Sequence, residues 1–201
     1  MFIRIWKPWM VSDLLASDSL VIYLLLFLFI GLLLVLLAIY RRRNRQVRRL
    51  EEIFRSIAFD RIEQFIIPSA ETGEIQIDYL LMTPEGFLIV DIKDVNGAVF
   101  GSDKMRDWTV ISDDHRYTFS NPQHALYSRI AAVRQIVRHV PVIGCVLFLD
   151  NAEFTTNVPD LVSTLDSLLK KFGENDMAVA KAKIEAFKPQ WDLIRGKAKV
   201  V

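Results

Sequence analysis

With 25 Lys and Arg against 24 Asp and Glu in 201 residues, the chain is close to electroneutral. It therefore lacks the broad positive charge of a protein that holds nucleic acid mainly by phosphate attraction. One cysteine rules out an intrachain disulfide framework, and three histidines without ligand spacing argue against a structural zinc site.

Residues 1–19 read as a short extracytoplasmic N-terminus, in which Trp6 and Trp9 could rest at a membrane interface. Residues 20–40, LVIYLLLFLFIGLLLVLLAIY, carry no charge. As a helix they would be roughly 31 Å long, matching a bilayer core of about 30 Å. Six arginines follow at once (Arg41, Arg42, Arg43, Arg45, Arg48 and Arg49), whereas only Arg4 and Lys7 precede. A cleaved signal peptide would have a shorter apolar core and the opposite charge order. The expectation is a single-pass span in the inner membrane, N-terminus out and C-terminal domain in the cytoplasm. Gly31 stands alone in the span, without small residues four apart to favour strong dimerisation. The arginines fit topology and anionic-lipid contact, or alternatively a DNA-binding arm. Eight of the basic and two of the acidic residues precede residue 50, leaving 17 against 22, so the rest of the chain is net negative.

Residues 41–58 have helical spacing, with Leu50, Ile53, Phe54 and Ile57 on one face. Glu51 and Glu52 lie mid-helix, within reach of Arg48 and Arg55. Residues 60–67 read as a strand ended by Pro68, and Ser69–Gly73 as a turn. A hairpin follows over 74–95, closed at Pro84-Glu85-Gly86. Residues 97–102 read as another strand, and 103–120 as a packed loop or short hairpin around Trp108. Asn121-Pro122 starts a helix, with a capping side chain and then Pro at the first position. Leu126, Ile130, Val133, Ile136 and Val137 form its core face, and Arg129, Arg134 and Arg138 a solvated one. The unbroken apolar run 142–149 reads as a central strand containing Cys145. A helix over 159–172 ends at Gly173, and a last one over 176–194 is interrupted at Pro189, with Phe187, Trp191 and Ile194 docking it.

The hairpin carries the chemistry. If Thr83 and Gly86 close the turn, Asp78 lies opposite Asp91, and Lys93 shares the side of Asp91. One face is then apolar: Ile75, Ile77, Tyr79, Leu81, Leu88, Val90 and Ile92. The other holds Gln76, Asp78, Leu80, Phe87, Ile89, Asp91 and Lys93, and a one-residue slip would mix the two. Two carboxylates one strand apart can share a hard divalent cation, and a lysine beside them can orient a water or stabilise a phosphate. A solvated polar hairpin face is the plainer reading of the same three residues. The apolar neighbours Phe87 and Ile89 speak against it, since charges on a partly apolar face need a partner.

An aspartate, about a dozen residues, then acid-x-lysine resembles the PD-(D/E)XK nuclease superfamily. The longer string EIQIDYLLMTPEGFLIVDIKDVNGAVFG, with Trp108, FSNPQHA and PVIGCVLFLD, resembles the nuclease-related (NERD) domain. The resemblance covers roughly residues 45–170. It implies a restriction-endonuclease-like α/β fold, a mixed sheet flanked by helices, over about 59–172. Residues 41–58 would then be a basic juxtamembrane helix and 173–201 a C-terminal helix and tail. It also implies a DNA-processing role dependent on Mg2+ or Mn2+. Asp78 and Asp91 correspond to the metal carboxylates, Lys93 to the catalytic lysine, and Glu52 or Glu51 to a further upstream acid. Asn121 and Gln123 would open the helix near the site. Two positions depart from the family pattern: Asp91 stands where Glu is usual, and Ala125 where the helix usually carries glutamine. The functional expectation is a membrane-anchored, metal-dependent nuclease on the cytoplasmic face. The alternative is a weakly active or inactive membrane-tethered binding or scaffold protein of the same fold.

Overall fold

The computed structural model describes residues 9–113, 115–155, 158–173 and 177–200. Trp6 and Asp176 lie outside the described residues. The chain divides into two compact units, residues 1–47 and 48–201. Helix α1, Trp9–Ile57, runs through both. Tyr23–Ile57 contains a window of mean hydropathy 2.9, none of it buried within the protein, so by length and composition this helix is apolar enough to cross a membrane. The expected juxtamembrane helix is continuous with the apolar segment, as no helix breaker separates them.

The second unit contains two mixed sheets with helices, where a single sheet was expected. The larger sheet is built from β1 (Asp60–Ser69), β2 (Gly73–Thr83), β3 (Gly86–Lys93), β7 (Val142–Phe148), β9 (Val162–Thr164) and β10 (Lys199–Val200). Its order is β10-β1-β2-β3-β7-β9. The β1, β2 and β3 ladders are antiparallel, while β7 joins β3 in parallel, placing β3 centrally. The smaller sheet comprises β4 (Gly97–Phe100), β5 (Asp107–Ile111), β6 (Arg116–Ser120) and β8 (Ala152–Phe154), in the order β6-β5-β4-β8. Thus the excursion around Trp108 is the β5–β6 hairpin. The short strand β8 was not foreseen, because three residues carry too little pattern.

Helix α2 (Pro122–Ile136) and helix α4 (Met177–Lys197) cover one face of the larger sheet. Leu126, Ile130, Val133, Trp191 and Ile194 meet Leu80, Phe87, Ile89 and Val146 there, and Val99, Trp108 and Val110 of the smaller sheet join the same core. Gly144 lies close beneath α2, where a Cβ would come within 2.7 Å of the Leu126 side chain. On the opposite face, Leu50, Ile53, Phe54 and Ile57 pack with Leu165, Leu168 and Phe172 of helix α3 (Leu165–Phe172) over Leu81, Leu88, Val90 and Leu147.

Three features differ from the sequence reading. The expected helix over 159–172 begins only at Leu165, because Val162–Thr164 pair with β7 and Thr164 serves as N-cap. Its hydroxyl accepts from the Ser167 amide, and the Ser167 side chain reciprocates at the cap. Helix α4 continues through Pro189 instead of stopping, its buried Ile184, Trp191 and Ile194 holding both halves on one core. The apolar face assigned to the hairpin also changes partway along. Ile77 and Leu80 both enter the α2-side core, although strict alternation would separate them. The break coincides with Gln64, whose φ of 42° lies in the left-handed region, and with the gap it leaves opposite Asp78 between Glu63↔Tyr79 and Phe65↔Ile77. A local irregularity on both strands resets which side faces inward.

Candidate functional site

The site hairpin has the register that its turn dictates. Thr83 pairs with Gly86, and the ladder continues through Met82↔Phe87 to Tyr79↔Val90. Gly86 has φ 132° and lies so close to Pro141 that a Cβ would meet its carbonyl oxygen at 2.2 Å. That contact, with Phe87 N–H donating to Pro141 O, fixes the start of β3 against the start of β7. Asp78 and Asp91 occupy the next positions beyond the last ladder pair.

Asp91 lies on the central strand at 2% exposure, level with Val146 on β7 and on the side covered by α2. Arg129 of α2 donates from Nη1 to Asp91 Oδ2 at 2.9 Å, and from Nε to the Gln76 carbonyl at 2.8 Å. The second oxygen, Oδ1, is buried and has no hydrogen-bond partner. Burial pushes the Asp91 carboxyl up to about 6; Arg129 opposes the rise, Asp78 adds to it, and Lys93 again opposes it. Asp78 and Lys93 are thus close enough to act on Asp91 electrostatically, and both are half-buried.

Glu52 does not join them. It is exposed on α1, whose buried face packs on the opposite side of the sheet from Asp91. Glu51 is engaged with Arg61 at 2.8 Å. Among the described residues no three His, Cys, Asp or Glu side chains are grouped to hold a metal ion. The two carboxylates are what the fold offers.

Asn121 and Gln123 are buried in a capping network. The Asn121 Oδ1 accepts from Gln123 N at 3.0 Å, and its Nδ2 donates to Met105 O at 2.9 Å. They fasten the start of α2 to the loop before β5. Trp108 Nε1 donates to Ser102 O in the same loop. Arg129 is the residue that sequence reasoning missed, having been placed on a solvated helix face. Its spacing from Ala125, one turn earlier, was the available signal, since positions four apart share a helix face.

A family model described as nuclease-related domain matches residues 42–149, just over half of the chain. The chain belongs to the nuclease-related domain family. An uncharacterized protein of Bacillus anthracis is 30% identical over 74 residues, covering 36% of this chain and 35% of that protein. The chain therefore spans about a third of that relative's length. No solved structure matches it. The family match takes in Asp78, Asp91, Lys93, Asn121, Gln123 and Arg129, and ends at the close of the β7 segment.

Proposed function

We propose that the protein is a membrane-anchored, metal-dependent nuclease that hydrolyses phosphodiester bonds of DNA at the cytoplasmic face of the inner membrane. Asp91 Oδ1 carries the reading, as a buried carboxylate oxygen without a partner, beside a second carboxylate and a lysine. A buried polar atom left unpaired costs stability, and a cation is its natural partner. Two carboxylates suit Mg2+ or Mn2+, hard ions that accept oxygen ligands; Mg2+ in particular keeps several waters of its own. The donor set therefore fits such an ion without Glu52. When bound, the ion supplies a more acidic water and neutralises charge developing on the phosphate.

Asp78 and Asp91 would hold the cation from adjacent strands. Lys93 lies two residues from Asp91 on the same strand and makes no ion pair among the described residues. Its ammonium is available to orient or deprotonate the attacking water, or to stabilise the pentavalent phosphate. Lys93 provides local positive charge within a net-negative domain, whereas the Arg129 charge is taken up by Asp91. The apolar helix followed by arginines supports anchoring with the C-terminal unit in the cytoplasm.

The test is cleavage of plasmid and single-stranded DNA by the full chain in detergent, with Mg2+, Mn2+ or EDTA. Cleavage should require the metal and vanish in Lys93→Ala and Asp78→Ala. A folded wild type that binds metal but cuts neither DNA would favour a second reading, a membrane-tethered binding or scaffold protein. Ala125 and the engagement of Asp91 Oδ2 by Arg129 are the observations on that side. Cleavage surviving both substitutions would place the chemistry elsewhere.

A further inference from the structure

We infer that Arg129 is a positioning residue for the cation site, holding Asp91 and the end of β2 in the geometry that presents Asp91 Oδ1. The inference rests on the metal-site reading above. The sheet has a gap at Asp78. The β2–β3 ladder ends at Tyr79↔Val90, so no ladder pair holds Asp78 opposite Asp91. On the other side of β2, pairing with β1 is also interrupted at Asp78, opposite Gln64. Asp78 thus sits where β2 is held least by its neighbours.

Arg129 bridges that gap. One guanidinium reaches the Gln76 carbonyl, two residues before Asp78, and the carboxylate of Asp91 on β3. Both contacts come from a side chain only 21% exposed, on a helix whose Leu126 and Ile130 are buried in the core. The guanidinium therefore has a fixed base and two fixed acceptors. By taking Oδ2, it also sets the rotation of a carboxylate whose terminal torsion is otherwise broad. Oδ1 is the oxygen left for a ligand.

Charge alone predicts the opposite outcome of removing Arg129. A cation beside a metal site repels the metal, so its loss should tighten binding. Positioning predicts weaker binding, because the site loses its spacing. A lysine keeps the charge but has one nitrogen, and cannot span the two acceptors as the planar fork does. Partners of this kind typically contribute about 10–100-fold in metal affinity.

The experiment titrates Mn2+ into the full chain in detergent and reads free Mn2+ by electron paramagnetic resonance, with far-UV circular dichroism as the folding control. Arg129→Gln and Arg129→Lys should both weaken Mn2+ binding about 10-fold or more. At saturating Mn2+ both should keep the wild-type KM for DNA. Unchanged or tighter Mn2+ binding in either folded variant overturns the inference. A raised KM with unchanged Mn2+ binding also overturns it, making Arg129 a substrate contact. If Arg129→Gln fails to fold, Arg129→Lys decides by the same readings. A wild type that binds no Mn2+ overturns the metal reading itself, and is distinct from a wild type that binds while the variants are unaffected.

Discussion

Replacing Asp91 with asparagine should stabilise the metal-free protein at alkaline pH and leave it nearly unchanged in acid. Asp91 is 2% exposed, and burial raises its pKa from 3.8 to about 6. Between those values the folded protein holds a proton on Asp91 that the unfolded chain has released. Stability therefore falls as pH rises through the window from about 4 to about 6. Above it the folded state carries a penalty of about 3 kcal/mol, at about 1.4 kcal/mol per pKa unit. An amide cannot ionise, so Asp91→Asn escapes the penalty while keeping an oxygen for Arg129. The assay is urea unfolding in EDTA at pH 4 and pH 8, followed by the fluorescence of the buried Trp108 and Trp191. Groups common to both proteins cancel in the comparison. The stability difference between variant and wild type should shift by about 2–3 kcal/mol in favour of the variant between the two pH values. In thermal unfolding this is a gain of roughly 4–12 °C for a unit of this size. Added Mg2+ should recover more stability at pH 8 in the wild type than in the variant, which keeps only the Asp78 carboxylate for the cation. A difference that is the same at both pH values would refute the reasoning, since Asp91 would then titrate as it does in the unfolded chain.

Three further outcomes follow from the packing. Asn121→Ala removes the α2 cap and leaves the Met105 carbonyl without its donor. It should cost about 0.5–2 kcal/mol in chemical denaturation, the usual cost of losing a cap, since the Met105 carbonyl belongs to an exposed residue that water can satisfy. Gly86→Ala places a side chain at φ 132° and against Pro141, and should lower stability by more than about 1 kcal/mol; a variant as stable as wild type by thermal unfolding would contradict the turn geometry. Arg49→Ala breaks ion pairs with Asp150 and Asp166 that are largely open to solvent. The loss should stay below about 1 kcal/mol and shrink further in high salt, which a salt series of unfolding curves would test.

The hairpin was readable because two local rules agreed. The turn at Pro84–Gly86 set the register, and the apolar alternation from Tyr79 to Val90 penalised any slip. The start of α2 was equally local, a capping side chain followed by proline. Where the signal depended on partners, the reading failed. Residues 162–164 look helical in sequence, yet their backbone groups pair with β7. Pro189 reads as a stop, but burial of residues on both sides carries the helix through it.

By itself the sequence determined the membrane-length apolar helix and the register of the hairpin that carries Asp78, Asp91 and Lys93, features encoded within a few turns or one strand pair. Only the tertiary structure decided which groups surround them. Helix α2 packs over the face that carries Asp91, bringing Arg129 to its carboxylate across 38 residues of chain. Helix α1 packs on the opposite face and keeps Glu52 away. Periodicity tells a helix which of its sides is apolar, but not which side of a sheet it will cover. That choice is made by the connections and by the fit of one core against another, and here it brings Arg129 to Asp91 and leaves Glu52 on the other side of the sheet.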